Sequence, residues 1–179
     1  MLRKFSVFFV AISFIFFIEK VSTKFEFTNL NCETLNKSYA EFEYCYLKSI
    51  NRTYKYLSVK VNLLKKPIGK VKVRAALFKR FNGWRPFMFD MTVDACNFLK
   101  NTKSNPAARY FLDLFKPYSN MNHSCPFDHD LIVDKLDVAH INNQATVVLP
   151  FPEGDYFLET HWIAYDIDRA VVKLYGTLS

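Results

Sequence analysis

Residues 71–93 read VKVRAALFKRFNGWRPFMFDMTV and carry the clearest structural pattern in the chain. Apolar residues alternate with Lys72 and Arg74 at the start of this stretch, and the alternation returns towards its end. Between the two parts, the dipeptide Asn82-Gly83 suits the positive backbone angles of a tight turn. The pattern predicts an antiparallel hairpin of two strands, each with one buried face.

The same period of two predicts further strands elsewhere in the chain. They lie at residues 57–63, 131–136, 156–165 and 170–178. We also expect residues 25–32 and 39–48 to pair as a hairpin, and the strand that carries Val59 and Val61 to lie beside the strand that carries Phe89.

A helical period replaces this alternation in one segment. Asn105 is a good N-cap, Pro106 suits the first helical position, and apolar residues then recur at helical spacing until Pro117. About eight short strands with one inserted amphipathic helix predict an all-β fold, an immunoglobulin-like antiparallel β-sandwich.

Residues 1–23 have the pattern of a secretory signal peptide. Arg3 and Lys4 precede an apolar run from Phe5 to Ile18, and small residues follow it. At about 1.5 Å per residue, this run is shorter than a hydrocarbon core of about 30 Å, so a membrane anchor is the weaker alternative. We expect residues 24–179 to form a single secreted, extracellular domain.

An even number of cysteines follows the predicted leader, which favours disulfide bonds in an oxidising compartment. They are Cys32, Cys45, Cys96 and Cys125. Three connectivities are possible, and we favour Cys32–Cys45 and Cys96–Cys125 because each closes a local segment. Glycosylation sequons begin at Asn36, Asn51 and Asn122, and they predict surface turns with at least one glycan.

The densest cluster of ionisable residues does not form a recognisable catalytic motif. A catalytic relay could be built from Ser124, His129 and Asp130, but spacing along a loop does not establish the geometry of a triad. Ser124 is also explained as part of a sequon. A metal site at His123, Cys125 and His129 is disfavoured, because secreted cysteines usually pair and no second cysteine has finger spacing. The chain also lacks nucleophile-elbow, phosphate-loop and zinc-protease motifs, so we expect no enzyme activity, no cofactor and no metal.

Charge is distributed unevenly along a chain of formal net charge +7. Residues 55–85 contain ten basic and no acidic residues, whereas residues 126–179 contain nine acids and three bases. The simpler interpretation of the basic residues is that they form a solvated outer face of a sheet. The alternative is attraction of a basic 55–85 face to a receptor, an acidic glycan or an anionic membrane surface. Nucleic acid is an improbable partner, because no recognition motif is present.

The abundant aromatic residues could be ordinary core, or they could line an apolar cavity in a splayed sandwich with the helix across its mouth. The candidate cavity-lining residues are Val59, Val61, Phe87, Phe89, Met91, Phe111, Phe115 and Trp162.

Five segments carry a resemblance to a known family; they are residues 43–49, 77–87, 94–99, 122–130 and 150–156. They resemble the large insect (fly) family of small secreted proteins with a domain of unknown function. That family is similar to ML-type, ganglioside-activator-like lipid-recognition proteins and to the fly chemosensory B proteins. The resemblance implies an ML-like sandwich that can hold a lipid or hydrocarbon between its sheets. Residues 162–179 contain no cysteine, so the disulfide that often ties the last strand in such relatives is missing.

From these features we expect a secreted, non-enzymatic binder of a hydrophobic small molecule or lipid, with a role in chemosensation through a pheromone or cuticular hydrocarbon. The alternative is an extracellular protein-interaction or receptor-accessory module with a filled core, and a hydrolase ranks third. An enclosed apolar pocket would favour the first function over the second.

Overall fold

The structure is a computed structural model that describes residues 24–51, 54–145 and 151–179. The predicted signal peptide at residues 1–23 lies outside the described residues. Within the described ranges, no helix has both the length and the apolar character needed to cross a bilayer.

The described residues form two antiparallel sheets. The strands are β1 (Phe25–Thr34), β2 (Ala40–Ser49), β3 (Lys55–Leu63), β4 (Val71–Phe81), β5 (Gly83–Asp94), β6 (Leu131–Asp137), β7 (Gly154–Ala164) and β8 (Ile167–Leu178). A five-stranded sheet has the order β1-β8-β7-β4-β5, and a three-stranded sheet has the order β2-β3-β6. The predicted all-β antiparallel sandwich is confirmed.

Three α-helices occur in the part of the chain that the structure describes, two more than the sequence predicted. They are α1 (Ala95–Lys100), α2 (Pro106–Phe115) and α3 (Val138–Ala145). The predicted helix is α2, which begins as expected, because the Asn105 side chain accepts a hydrogen bond from the Ala108 N–H at 3.0 Å. The helix α1 is too short to show a helical period, and α3 directly follows β6 without a turn signal.

The hairpin predicted from residues 71–93 is present as β4 and β5. Phe81 pairs with Gly83, so the strands turn at Asn82, and the φ angle of 121° at Gly83 is one that a side chain would strain. The register shifts opposite Leu77, where Met88 has a φ angle of 64°. This bulge moves Met88 outward, and Met88 remains 63% exposed.

Two predicted strand neighbours were wrong. The strand β1 pairs with β8 in the large sheet, whereas β2 pairs with β3 in the small sheet, so residues 25–32 and 39–48 do not form a hairpin. The strand β3, with Val59 and Val61, lies in the sheet opposite β5 rather than beside it. Alternation identifies the buried face of a strand, but it does not identify the partner that covers that face.

The unequal sheets leave part of the large sheet without a facing strand, and the helices cover this part. The buried core forms two clusters, one around Leu63, Ile68 and Phe127 and the other around Phe27, Leu57 and Ile141. Phe115 of α2 packs against both clusters. The interior between the clusters is therefore bounded by α2 as well as by both sheets.

Candidate functional site

A cavity of about 220 Å³ lies between the two sheets. Its walls include Val59 and Val61 from β3, Val133 from β6, Trp162 from β7 and Val172 from β8. Each of these side chains faces inward because alternate residues of a strand point to the same face of its sheet.

A second cavity of about 250 Å³ lies under α2, where the large sheet extends past the small one. Phe111 and Phe115 line it from the helix, and Met91 lines it from β5. A third cavity of about 150 Å³ lies beyond it, between Phe89 of β5, Phe27 of β1 and the α2 and α3 helices.

The three cavities share walls. Phe115 and Trp162 line the first and the second, and Phe111 lines the second and the third. Leu158 of β7 and Leu174 of β8 line all three. The cavities are therefore adjacent compartments along the inner face of the large sheet.

Most of the candidate lining residues reach these compartments, but Phe87 lines none of the three. Its ring packs 5.7 Å from that of Tyr156, and the Lys79 ammonium lies 5.7 Å from its centroid. Phe89 packs against Phe111 of α2, with ring centroids 5.0 Å apart.

Sequence reasoning missed the contributions of β6, β8 and α3. These include Leu131, Val133, Val172, Leu174 and Ile141. The alternation of residues 131–136 and 170–178 indicated which of these strand residues are buried. Whether they line a common cavity depends on which strands pair, and the alternation does not show which strands pair.

The polar side chains on the walls between the sheets bond to the protein. Thr160 Oγ1 donates to the Val172 carbonyl oxygen at 3.3 Å, and Trp162 Nε1 donates to Thr160 Oγ1 at 3.1 Å. Both residues lie on β7, whose backbone is paired with that of β8. The middle of the cavity system therefore presents hydrocarbon surface.

Tyr39 and Arg169 stand at one end of the first cavity. The Arg169 guanidinium lies 4.0 Å over the Tyr39 ring, and Arg169 Nε donates to the Ala164 carbonyl oxygen at 3.4 Å. The buried Tyr39 hydroxyl has no hydrogen-bond partner among the described residues. Burial, together with the nearby Tyr165, raises the pKa of Tyr39, so its phenol is neutral.

Lys79 closes the end of the sandwich near Tyr156, which lines the third cavity. It is a buried lysine, and its Nζ donates to the carbonyl oxygens of Pro152 at 3.2 Å and Glu153 at 3.0 Å. Gly154 permits this approach, since a Cβ there would lie 3.2 Å from Lys79 Cε. Lys79 thus has partners within the protein.

The side chains of the histidine cluster contact one another and the neighbouring backbone. His123 Nε2 and His129 Nε2 are hydrogen-bonded at 2.7 Å, and His129 Nδ1 lies 3.1 Å from Asn120 Nδ2. The other nitrogen of His123 lies 2.7 Å from the Ser124 backbone carbonyl oxygen. The sulfur of Cys125 is bonded to Cys96, so it is not available as a thiolate ligand.

Two disulfide bonds join the cysteines in the pairing that the sequence favoured. Cys32–Cys45 has a Cα–Cα distance of 6.3 Å and connects β1 of the large sheet to β2 of the small one. Cys96–Cys125 has a Cα–Cα distance of 5.2 Å and closes the segment that contains α2. The first bond therefore ties the two sheets together, rather than two strands of a hairpin.

The basic 55–85 stretch is largely neutralised by carboxylates from other parts of the chain. Its ion pairs are Lys55–Glu26, Lys60–Glu43, Lys66–Asp130, Lys70–Asp166, Lys72–Asp166, Arg74–Asp90 and Arg80–Asp155. Hydrogen bonds from Lys70 and Lys72 lower the pKa of Asp166 to about 2. These pairs weaken the case for one continuous basic face.

The predicted glycosylation sites lie outside regular strands and helices. Asn36 is in the turn between β1 and β2, and its side chain accepts a hydrogen bond from Ser38 Oγ at 2.8 Å. Asn51 and Asn122 are exposed. Thr53, the last residue of the second sequon, lies outside the described residues.

Comparison with known proteins gives one family match and a structural similarity. Residues 73–158, just under half of the chain, match a family described as "Protein of unknown function (DUF1091)". The structure is similar to the crystal structure of a Niemann-Pick type C2 protein from the Japanese carpenter ant, with 11% sequence identity and a TM-score of 0.31. That similarity covers 88% of this chain and 93% of that chain. No curated protein matches the chain significantly.

Proposed function

We propose that this chain is a secreted, non-enzymatic protein that binds a hydrophobic small molecule or lipid between its sheets. The observation that carries the proposal is the row of three adjacent apolar cavities along the inner face of the large sheet. Residues 24–179 form a single binding domain in this proposal, and residues 1–23 direct its export.

The size of the cavities favours a binder over a module with a filled core. Apolar side chains that line unfilled space lose the van der Waals contacts that a filled core would give them. An apolar ligand that fills them would restore the lost contacts.

The resemblance of this chain to relatives linked to contact chemosensation extends the proposal to a pheromone or cuticular hydrocarbon as the ligand. A receptor or an anionic membrane would then be the partner that receives it. In the described part of the chain, Lys65 and Arg85 are the members of the basic stretch that are exposed and lack a carboxylate partner, so contacts through that stretch would centre on them.

Export and glycosylation are tested by expression in insect cells. We expect a secreted chain that begins near Lys24 and carries glycan on at least one of Asn36, Asn51 and Asn122. N-terminal sequencing and glycosidase treatment measure both features. Retention of Met1 in the secreted protein would contradict the cleavage.

Ligand binding is tested by filling the first cavity. Val133→Phe places a ring in this space, so the variant should stay folded but should no longer bind an apolar fluorescent probe. Ile50→Phe is the matched control, because Ile50 is 53% exposed and lies away from the cavities. Native mass spectrometry of the secreted wild type, with lipid extraction, identifies what it carries.

If the wild type binds no probe, carries no lipid and shows no thermal shift with apolar compounds, the binding function is wrong. The receptor-accessory function would then be the better explanation of the fold.

A further inference from the structure

We infer that Arg169 forms a head-group site at the end of the first cavity, and that the preferred ligand is a long-chain carboxylate with one negative charge. The hydrocarbon tail would lie between the sheets, and the carboxylate would bind the guanidinium. The inference rests on the proposed function, and it names the chemical class of the ligand.

A β-bulge turns Arg169 towards the cavity. The register of β7 against β8 shifts between Trp162 and Ile163, so Arg169 of β8 is an extra residue without a partner on β7. A bulge of this kind changes the direction of a side chain. The preceding residue, Asp168, bonds to His161 on the outer face, whereas Arg169 lines the first cavity.

The guanidinium of Arg169 is held by its face, and its edge remains open. It stacks over the Tyr39 ring, with Cζ 4.0 Å from the ring centroid. Its Nε donates to the Ala164 carbonyl oxygen at 3.4 Å, while its two Nη groups make no hydrogen bond to any other described residue. Stacking leaves the N–H groups at the edge of the plane free to donate, and a carboxylate can accept two of them in parallel.

The charge of Arg169 has no counterion in the described part of the chain. The adjacent carboxylate of Asp168 is paired with His161. Burial raises the pKa of Tyr39, so the phenol beneath the guanidinium is neutral. Arg169 is half-buried, and a partly desolvated charge is stabilised by an opposite charge with good hydrogen-bond geometry. An anionic head group would supply that partner.

Apolar space for a tail lies directly beside this charge. Among the described residues that line the three cavities, Arg169 is the one that carries a charge. The first and second cavities share many lining residues, including Leu63, Phe115 and Trp162, so a tail that enters beside Arg169 can continue under α2. One positive charge at the end of an apolar space matches a ligand with one negative charge at the end of a hydrocarbon chain.

The experiment compares hexadecanoic acid, methyl hexadecanoate and hexadecyltrimethylammonium, which share one hydrocarbon chain and differ in the charge of the head group. Each is added to the secreted protein at about neutral pH, where the carboxyl group is ionised, and its affinity is measured by displacement of an apolar fluorescent probe. We expect the acid to bind at least about tenfold more tightly than the ester, because it makes charge-assisted hydrogen bonds. The ammonium compound should bind at least about tenfold more weakly than the acid.

Variants of Arg169 test whether this residue reads the head group. Arg169→Met keeps an apolar stem and loses the charge, so acid affinity should fall at least about tenfold while ester affinity stays within about threefold. Arg85→Met is the matched control, because it removes the same charge from an exposed position outside the three cavities and should leave both affinities within about twofold. If Arg169→Met does not fold, Arg169→Lys serves instead. It keeps the charge without the planar edge, and it should retain only part of the preference for the acid.

Tyr39 has a positioning role in this site, because its ring holds the guanidinium plane. Tyr39→Phe keeps the ring, so the ratio of acid affinity to ester affinity should stay within about twofold of the wild-type ratio. Tyr39→Leu removes the stacking surface, and the same ratio should fall at least about threefold. A general loss of packing would weaken both ligands and leave the ratio unchanged, which would contradict the positioning role.

Equal affinities for the acid and the ester overturn the inference, although the binding function then stands. A preference for the acid that Arg169→Met retains also overturns it, because the head group would then bind elsewhere. If none of the three compounds binds, the proposed function itself has failed, and the inference fails with it.

Discussion

The two faces of the five-stranded sheet differ sharply, although the same strands supply both. On β7, Leu158 and Trp162 point inward to the cavities, while Glu159 and His161 point outward. Side chains of a strand alternate between faces, so one strand can carry an apolar ligand wall and a charged outer surface without conflict.

On the outer face, the side chains form hydrogen bonds, ion pairs and ring contacts with one another. His161 donates to Asp168 and, at 3.2 Å, to Glu159, which also pairs with Lys173 at 2.8 Å. Farther along the same face, Phe157 stacks on Phe78 with ring centroids 4.5 Å apart. The inner face has unfilled space, whereas the outer face has partners for most of its groups. Changes on one face should therefore leave the function of the other intact.

Leu158→Asp should have the largest effect among these changes. It removes an apolar wall shared by all three cavities and places a carboxylate in largely apolar surroundings, which should destabilise the fold by about 3–5 kcal/mol. Ile167→Asp is the control, because Ile167 is 52% exposed and a surface change costs about 0.5 kcal/mol or less. Urea unfolding measures the free energy of unfolding of both variants. Equal losses of stability would show that the inner and outer positions do not differ in burial as described.

Removing the bond between the sheets should have the next largest effect. The double variant Cys32→Ser/Cys45→Ser loses a cross-link over 13 residues, and the loop-entropy model predicts a loss of about 3 kcal/mol. Because this bond joins the two layers, probe binding in the first cavity should weaken too, as measured by fluorescence displacement. A loss of stability without any change in probe binding would mean that the bond does not help to set the separation of the inner faces.

Tyr39→Phe should stabilise the protein by about 1 kcal/mol, because it removes a buried hydroxyl without a partner while keeping the ring under Arg169. Thermal unfolding at a fixed pH measures the gain. A loss of stability would show that the hydroxyl makes a favourable interaction, and the inner end of the first cavity would then be more polar than described.

The smallest expected effect is the pH dependence from His161. Burial alone would lower its pKa, but the hydrogen bonds to Asp168 and Glu159 outweigh burial and raise the pKa. The stabilisation is therefore complete below the unfolded pKa of about 6.5, and it is lost as the pH rises through the higher folded pKa.

We expect a contribution of about 1 kcal/mol or less for this partly buried network. The difference in unfolding free energy between wild type and His161→Gln should shrink from about pH 6 to about pH 9. A difference that grows with pH would contradict the charged state of the ring. Probe binding should be the same in both proteins at each pH, since His161 lies on the outer face.

The sequence by itself determined the strands, the helix α2 and the inward residues of each strand. Local physics suffices for these features. Alternation marks a half-buried strand, Asn105 and Pro106 begin a helix, and Asn82-Gly83 permits a tight turn. The spacing of the cysteines also favoured the pairing that the structure contains.

Tertiary structure alone decided which strands are neighbours and whether the inward residues meet. The strand β1 pairs with β8 at the far end of the chain, and β3 lies in a different sheet from β5. Nothing local distinguishes these arrangements, because a two-residue period identifies the buried face of a strand and not its partner. The cavities follow from a further non-local fact: three strands and the α2 helix cover five strands, and their side chains do not fill the volume between them.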